Sequence, residues 1–460
     1  LSQTCNPSVG LTTRAAIAMR WGWVYDSRMR RSLRLLRFAG AILFLGVFGS
    51  QLRAQTVPLS LEACIQMALD APSPVTVARL ERDIADQGRV AARAGFLPRA
   101  GLAVDHIYNS PGLDDPTTAS YIASNAVREL AGLATVVGDI DTSGRIRAEY
   151  QRARANQDIA GANLAMAERN LRGAVAGAYY RLVLSRKLVE VFQAMVDEAT
   201  DFEARTTLLM ESGEASRADV VKATAQTALF RRQFLTAELN ADLANQELAA
   251  FWTDDVASRV DVVDVLDQTV QTPPTVSTGA QVYMARPEFR LFDAEERAFE
   301  ADARRARADL LPNLQLAFQW GVDRSLPGWS MGDRGYAVLA SLDFTLFDWS
   351  RTTSQVRQAQ ARADEVAASR IAATRQYSRE YQSALARVRG IFEQISLSRI
   401  ETTAAEEDLL LSRVRYEGGE GPALDVVTSQ RQLADARSGY YTAIAEYLGA
   451  LEDLNVATGQ

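Results

Sequence analysis

The sequence predicts a mainly α chain with a small β part, in which long helical hairpins occur twice in tandem, each set accompanied by a pair of strands. Three observations predict it. The first is internal repetition. Ala306-Arg307-Ala308-Asp309-Leu310-Leu311-Pro312 echoes Ala92-Arg93-Ala94-Gly95-Phe96-Leu97-Pro98, and Glu417-Gly418-Gly419-Glu420 with Asp425-Val426-Val427 echoes Glu211-Ser212-Gly213-Glu214 with Asp219-Val220-Val221. The echoes come in the same order at offsets of about 214 and about 206 residues. Solenoid units repeat every ~20–50 residues, so this is a duplication of a whole half. The second is proline placement: none occurs from 117 to 272 or from 328 to 421. Because proline breaks helix interiors, these gaps can hold very long helices. The third is strict period-two alternation in short segments between the helical tracts.

Taken in order, residues 1–28 begin without Met and show no helical or strand period, and they are expected to be an upstream artefact. Residues 29–54 read as a signal peptide. Arg30, Arg31, Arg34 and Arg37 precede an apolar run over 38–49, and Leu52-Arg53-Ala54 offers a cleavage site. The run is shorter than the ~20 residues of a membrane span; the competing reading is an internal apolar helix. No Cys follows it to carry a lipid. Cys5 lies upstream of the expected mature start, which leaves Cys64 without a disulfide partner.

The first repeat, 55–265, is expected to hold short helices, a hairpin over 99–141, a long helix over 145–212 and a helix over 215–251. Leu102, Val104, His106 and Tyr108 alternate with Gly101, Ala103 and Asp105, with Pro111 and Pro116 in the loop; the partner strand, 130–141, alternates poorly. The long helix is rich in good helix formers. Leu164, Leu171, Val175, Ala178, Leu182 and Val189 make one stripe, and Ala160, Ala167, Ala174 and Ala178 a second. Small residues on a second face suit a wall of helices better than an isolated pair. The second repeat, 266–460, is expected to hold a helix over 281–309, a hairpin over 312–347, a long helix over 352–417 and a helix over 424–457.

The clearest strand signal is 314–323, where Leu314, Leu316, Phe318 and Trp320 alternate with small or polar residues. In 336–347, Tyr336, Val338, Leu342, Phe344 and Leu346 share a face opposite Ser341, Asp343 and Thr345. Such strands fit a membrane wall of ~9–11 residues with one face toward lipid and one toward a wet lumen. Leu314, Leu316, Phe318, Trp320, Val338, Leu342 and Phe344 are then the lipid-facing residues. Trp320, Trp329, Tyr336, Tyr108 and Trp349 lie near strand ends, where an aromatic belt would sit. Four strands cannot close a barrel, and open edges do not survive in hydrocarbon. Either the sheet packs under a soluble domain, or several chains contribute four strands each.

Composition excludes several functions. The net charge of −7 carries no basic excess for nucleic acid. There is no glycine-rich phosphate loop and no Cys or His cluster with zinc spacing, and His106, the only His, falls in an expected strand. No cofactor, metal site or enzyme activity is expected.

The order of motifs is similar to that of the TolC-like outer-membrane factor (outer membrane efflux protein) family. The likeness rests on 306–312, the strand after it, Leu346-Phe347-Asp348-Trp349-Ser350, and 416–427 with Gln430 beyond, and it spans about 59–459. It implies a homotrimer with a shared twelve-stranded transmembrane β-barrel in the outer membrane of a Gram-negative cell, continued by a periplasmic α-barrel. It further implies a passive exit duct for a tripartite efflux pump or type I secretion system, partnered by a periplasmic adaptor (membrane fusion protein), an inner-membrane transporter and outer-membrane lipid. By the same resemblance, the 215–251 helix stacks on that of 281–309, the 424–457 helix stacks on 75–95, and 252–280, with Pro273-Pro274, forms an equatorial belt. The repeated turns become periplasmic tips, with Gly213, Glu214, Gly419 and Glu420 for adaptor docking. Asp425 contributes an acidic ring at the entrance, and Tyr416 ties the two hairpins together near Asp219. Gly421 and Thr428 stand where the family can carry an Arg and a second acidic ring. Another reading of the residues is a soluble periplasmic coiled-coil adaptor or scaffold, for which paired hairpins at equivalent places would have no use.

Overall fold

The computed structural model describes residues 58–108, 128–267, 282–326, 334–343 and 345–459, all within one compact unit, Thr56–Gln460. The expected upstream and signal segments, Pro111, Pro116, Pro273-Pro274, Trp329 and Phe344 lie outside the described residues. The elements are α1 (Leu61–Asp70), α2 (Pro74–Ala94), β1 (Arg99–Tyr108), β2 (Arg128–Ile140), α3 (Arg145–Glu211), α4 (Arg217–Ala249), a 3-10 turn (Val282–Ala285), α5 (Pro287–Ala308), β3 (Asn313–Leu326), β4 (Arg334–Asp343), α6 (Arg351–Glu417) and α7 (Ala423–Thr458).

α3 and α6 each have 67 residues, about 100 Å at 1.5 Å per residue. Both start with the same device at the base of the sheet. The Asp141 carboxylate accepts the backbone N–H groups of Ile146 (3.0 Å) and Arg147 (3.1 Å), and Asp348 accepts that of Thr352 at 2.8 Å. These bonds satisfy helix N–H groups that have no partner within the helix. The left-handed residue in that turn is Gly144 in the first repeat, but Trp349 and Ser350 in the second.

Each long helix is covered by the two shorter helices of its own repeat: α2 and α4 lie along α3, and α5 and α7 along α6, while α3 also touches α5 and α7. This corrects the expected stacking. α7 does not lead toward α2. Its C-cap, Gly459, abuts the start of α5, where a Cβ on Gly459 would lie 2.8 Å from Arg286 Cα. The reason is connectivity: α5 reaches α6 through one hairpin and α7 leaves it through a tight turn, so both stay on α6. Gly459 also has φ +86°, so no side chain fits without strain. Gly459→Ala is expected to lower stability by about 2 kcal/mol, read as a fall in the thermal midpoint of the purified protein; an unchanged midpoint would count against the abutment. The helix expected from 281 starts only at Pro287 because the 3-10 turn precedes it.

The four strands form one antiparallel sheet in the order β1-β2-β3-β4, with β2 pairing β3 across the repeats. The register aligns Leu102, Ala134, Trp320 and Tyr336 in one row and Val136, Phe318 and Val338 in the next. Paired residues share a face, so the apolar positions of all four strands fall on the same side. That side is bare: Tyr336 is 75 % exposed, Val338 71 % and Leu102 74 %. The other face carries Thr135, Gln319, Gln315 and Ser341, and Gln315 donates to Asp139 at 2.9 Å. Leu133, Val137 and Leu339 are exceptions to that polarity. β4 stops at Asp343, short of the expected 347, because the chain must turn into the Asp348 cap; Leu346 and Phe347 therefore lie beyond the strand and are exposed.

Two apolar clusters hold the helices together. The equatorial one includes Tyr179, Leu182, Leu248, Val388 and Ile444. Tyr179 Oη donates to the Val263 carbonyl at 3.0 Å, fixing a segment that also pairs with Leu59. Beside it lies a buried ionic network. Glu288, in the first turn of α5, accepts from Arg169 of α3 (2.8 and 2.9 Å) and from Arg286 (2.9 Å). Arg286 also pairs with Glu380 of α6 at 2.9 Å and lies 4.0 Å from the Tyr377 ring centroid. Burial alone would raise the Glu288 pKa, but the two guanidiniums bring it down to about 2. The second cluster lies toward the tips and includes Phe202, Phe230, Leu409, Val426, Val427 and Leu433. No described helix is long and apolar enough to cross a membrane.

Candidate functional site

The tips are built by closely related turns. In the first, Gly213 takes φ +84° and Glu214 N–H returns to the Leu209 carbonyl at 2.8 Å. In the second, Gly419 takes φ +75° and Glu420 N–H returns to the Arg415 carbonyl at 2.8 Å. Only glycine adopts this left-handed helix end without strain. Gly213, Glu214, Gly419 and Glu420 are all exposed.

The helices that follow begin differently. Ser216 caps α4: its Oγ accepts from Asp219 N–H at 3.2 Å, and the Asp219 carboxylate accepts from Ser216 N–H (3.3 Å) and Ser216 Oγ (2.6 Å). Lys222 approaches Asp219 at 3.4 Å. The Ser216 hydroxyl, then Lys222, holds the Asp219 carboxyl below its ordinary range. Its charge is thus engaged in its own helix start. At α7 the capping position is Pro422, which offers no side-chain acceptor. Asp425 is half-buried and makes no ion pair among the described residues. The Thr428 hydroxyl bonds back to the Leu424 carbonyl at 2.8 Å.

Tyr416 does reach the first hairpin, by ring packing on Phe202 (centroids 5.3 Å apart). Its hydroxyl is buried without a hydrogen-bond partner, so the structure does not join it to Asp219. Other contacts link the hairpins: Arg205 with Glu417 at 2.6 Å, Arg413 with Glu198, and Arg431 with the Gln226 carbonyl oxygen at 2.7 Å. Sequence reasoning missed these six residues. They lie about 200 residues apart, and no local spacing encodes them.

Of the seven residues expected on the lipid face, Leu314, Leu316, Phe318, Trp320, Val338 and Leu342 share one face of the sheet by register, and Phe344 lies outside the described residues. Phe318 and Tyr336 stack there at 6.3 Å. No group of three or more His, Cys, Asp or Glu among the described residues is placed to hold a metal ion.

A family model described as outer membrane efflux protein matches residues 64–253 and 281–460. The chain belongs to the outer membrane efflux protein family. This efflux protein is 24% identical over 412 residues to the cobalt-zinc-cadmium resistance protein CzcC of Cupriavidus metallidurans, covering 88% of this chain and 90% of that one. It is 25% identical over 379 residues to nodulation protein T of Rhizobium leguminosarum bv. viciae, covering 80% and 75%. Its fold matches the crystal structure of the Campylobacter jejuni CmeC outer membrane channel with a TM-score of 0.77 at 15% identity, covering 87% and 85%. The efflux protein is an outer-membrane duct that extends into the periplasm. Its four strands are one chain's share of a twelve-stranded barrel made by three chains, and its helical hairpins form the α-barrel beneath.

Proposed function

We propose that this protein is the passive exit duct of a tripartite pump, energised by an inner-membrane transporter and reached through a periplasmic adaptor. The observation that carries the proposal is the sheet: a bare apolar face, two unpaired edges, and helices of about 100 Å growing from its base. A soluble scaffold would have to hide that face. In this reading residues 29–54 direct export, the repeats 55–265 and 266–460 make up the mature chain, and the adaptor docks on the exposed turns at Gly213, Glu214, Gly419 and Glu420. Chemistry plays no part in the role, since the protein supplies only a path.

The entrance is lined by three copies of Asp425, whose carboxylate is not engaged as that of Asp219 is, and a ring of that kind favours cations. Purified protein in planar bilayers should conduct with a cation preference, and Asp425→Asn should lower that preference severalfold; an unchanged reversal potential would remove Asp425 from the entrance. Release of the protein from membranes by carbonate would end the duct reading altogether. Cargo choice lies with the transporter, and the likeness to CzcC makes divalent metal ions the first cargo to assay in a deletion strain.

A further inference from the structure

The helix ends at the base of the sheet are basic in a chain whose net charge is −7. The last seven residues of α2 and α5 and the first seven of α3 and α6 hold nine arginines and two carboxylates. The turns beside them add Asp309, and also Asp141 and Asp348, which are engaged as caps. At the four matching helix ends at the tips, five cations meet four carboxylates. Both carboxylates of the basal helix ends are taken: Glu149 lies 3.2 Å from Arg305, and Asp302 lies 3.3 Å from Arg152. Arg147 and Arg307 are exposed and form no ion pair among the described residues. The helix dipole accounts for Arg307, which stands in the last turn of α5. It does not account for Arg147, because α3 has no acidic residue in its first turn and a cation there opposes the dipole.

Height and direction both follow from the fold. The lowest apolar row of the sheet is Ile140, Leu314 and Leu342. Arg147 follows Ile140 by seven residues and Arg307 precedes Leu314 by seven, so both lie just below the hydrocarbon, at the level of lipid headgroups. α3 and α5 stand between α2 and α6, away from the edges where neighbouring chains meet. Val183 lies about ten turns below Arg147 on the same face of α3. Around it, Tyr179, Arg186 and Lys187 hold the equatorial segment through Val263, Val260 and Asp264. A duct carrying that segment on its inner wall would be plugged, so this face looks outward. Asp158, on the same face, pairs with Arg297 of α5 at 3.2 Å, and Arg304 and Arg307 continue from Arg297 toward the sheet. We propose that Arg147 and Arg307 form a binding surface for the phosphate of an anionic phospholipid in the periplasmic leaflet, beside exposed Leu310 and Leu311, which meet the start of its acyl chains. A guanidinium holds phosphate through two parallel N–H donors, and three chains supply three such surfaces. The second copy of the Ala-Arg-Ala motif thus gains a role: it ends the helix on a cation and opens the strand on apolar residues.

The test gives the purified trimer, in neutral detergent, equal amounts of phosphatidylglycerol and phosphatidylcholine and counts the retained lipids by native mass spectrometry. An arginine near an anionic lipid surface is worth about fivefold in affinity, so wild type should retain phosphatidylglycerol in roughly that excess or more. The double variant Arg147→Gln with Arg307→Gln should bring the ratio close to one, and Arg147→Lys with Arg307→Lys should keep most of it. Arg305→Gln is the control at the same height: Arg305 pairs with Glu149, two residues from Arg147 and so on the other side of α3. Its ratio should match wild type. Loading the wild type at high salt should also reduce the ratio, a reading that needs no variant. Equal retention of the two lipids by wild type overturns the proposal, as does a preference that survives in the double glutamine variant. An equal loss in Arg305→Gln also overturns it, because overall charge and not this surface would then be the cause. The inference rests on the place of the sheet in the outer membrane and not on the pump, adaptor or cargo, so none of these outcomes bears on the passive-duct reading.

Discussion

Phe318→Arg is expected to abolish stable insertion into the outer membrane. Phe318 lies near the middle of β3, in register with Val136 and Val338 on the face that the other strands also make apolar, and it stacks on Tyr336. A cationic side chain on the lipid face near mid-bilayer costs about 2–4 kcal/mol, and a threefold assembly carries three copies. The total, roughly 6–12 kcal/mol, is comparable to the whole ~5–15 kcal/mol stability of a typical folded domain. The readout is the yield of detergent-resistant trimer in the outer-membrane fraction. Gln319→Arg is the matched control: its side chain belongs to the opposite, polar face, so trimer yield should hold while ion selectivity moves. Equal yields for both variants would show that the assignment of faces is wrong.

Glu288→Ala is expected to produce the largest loss of stability in the helical part. It would leave Arg169 without a carboxylate and Arg286 with Glu380 alone, although both side chains are only 7% exposed. Breaking a buried pair from one side typically costs about 3–5 kcal/mol, visible as a large drop in thermal midpoint. The same group makes the wild type acid-sensitive. Its carboxyl has a pKa of about 2 in the folded protein against an ordinary 4.5, so its contribution is fully present above pH 4.5 and is lost as the pH falls toward 2. The linked loss is on the order of 3 kcal/mol per subunit. Glu288→Gln should flatten that acid limb while lowering stability at neutral pH. A Glu288→Gln variant with an unchanged acid profile would remove Glu288 as its source.

Legibility in the sequence followed how local each cause is. β3 announced itself because Leu314, Leu316, Phe318 and Trp320 alternate without interruption. β2 was obscure because its lipid face includes Gly132, Ala134 and Gly138 while Leu133 turns inward. The tip turns were readable because only glycine suits their backbone. The occupation of Asp219 could also have been read, since Ser216 and Asp219 stand at the spacing of a reciprocal cap. What could not be read was contact between distant parts: the meeting of α7 with α5 and the network around Glu288. Resemblance filled some of these gaps and misplaced others, as with the helix stacking.

The hydrogen-bonded seam between β2 and β3 has a consequence for assembly. A half-length chain with one hairpin would have to find five others to make the same ring, and every seam would depend on collision and concentration. Fusing two halves makes three of the six seams intramolecular, so a closed cylinder leaves only three seams to form between chains. It also frees the halves to differ, and here the buried charges are divided unequally between them, Arg169 from the first and Arg286 and Glu288 from the second.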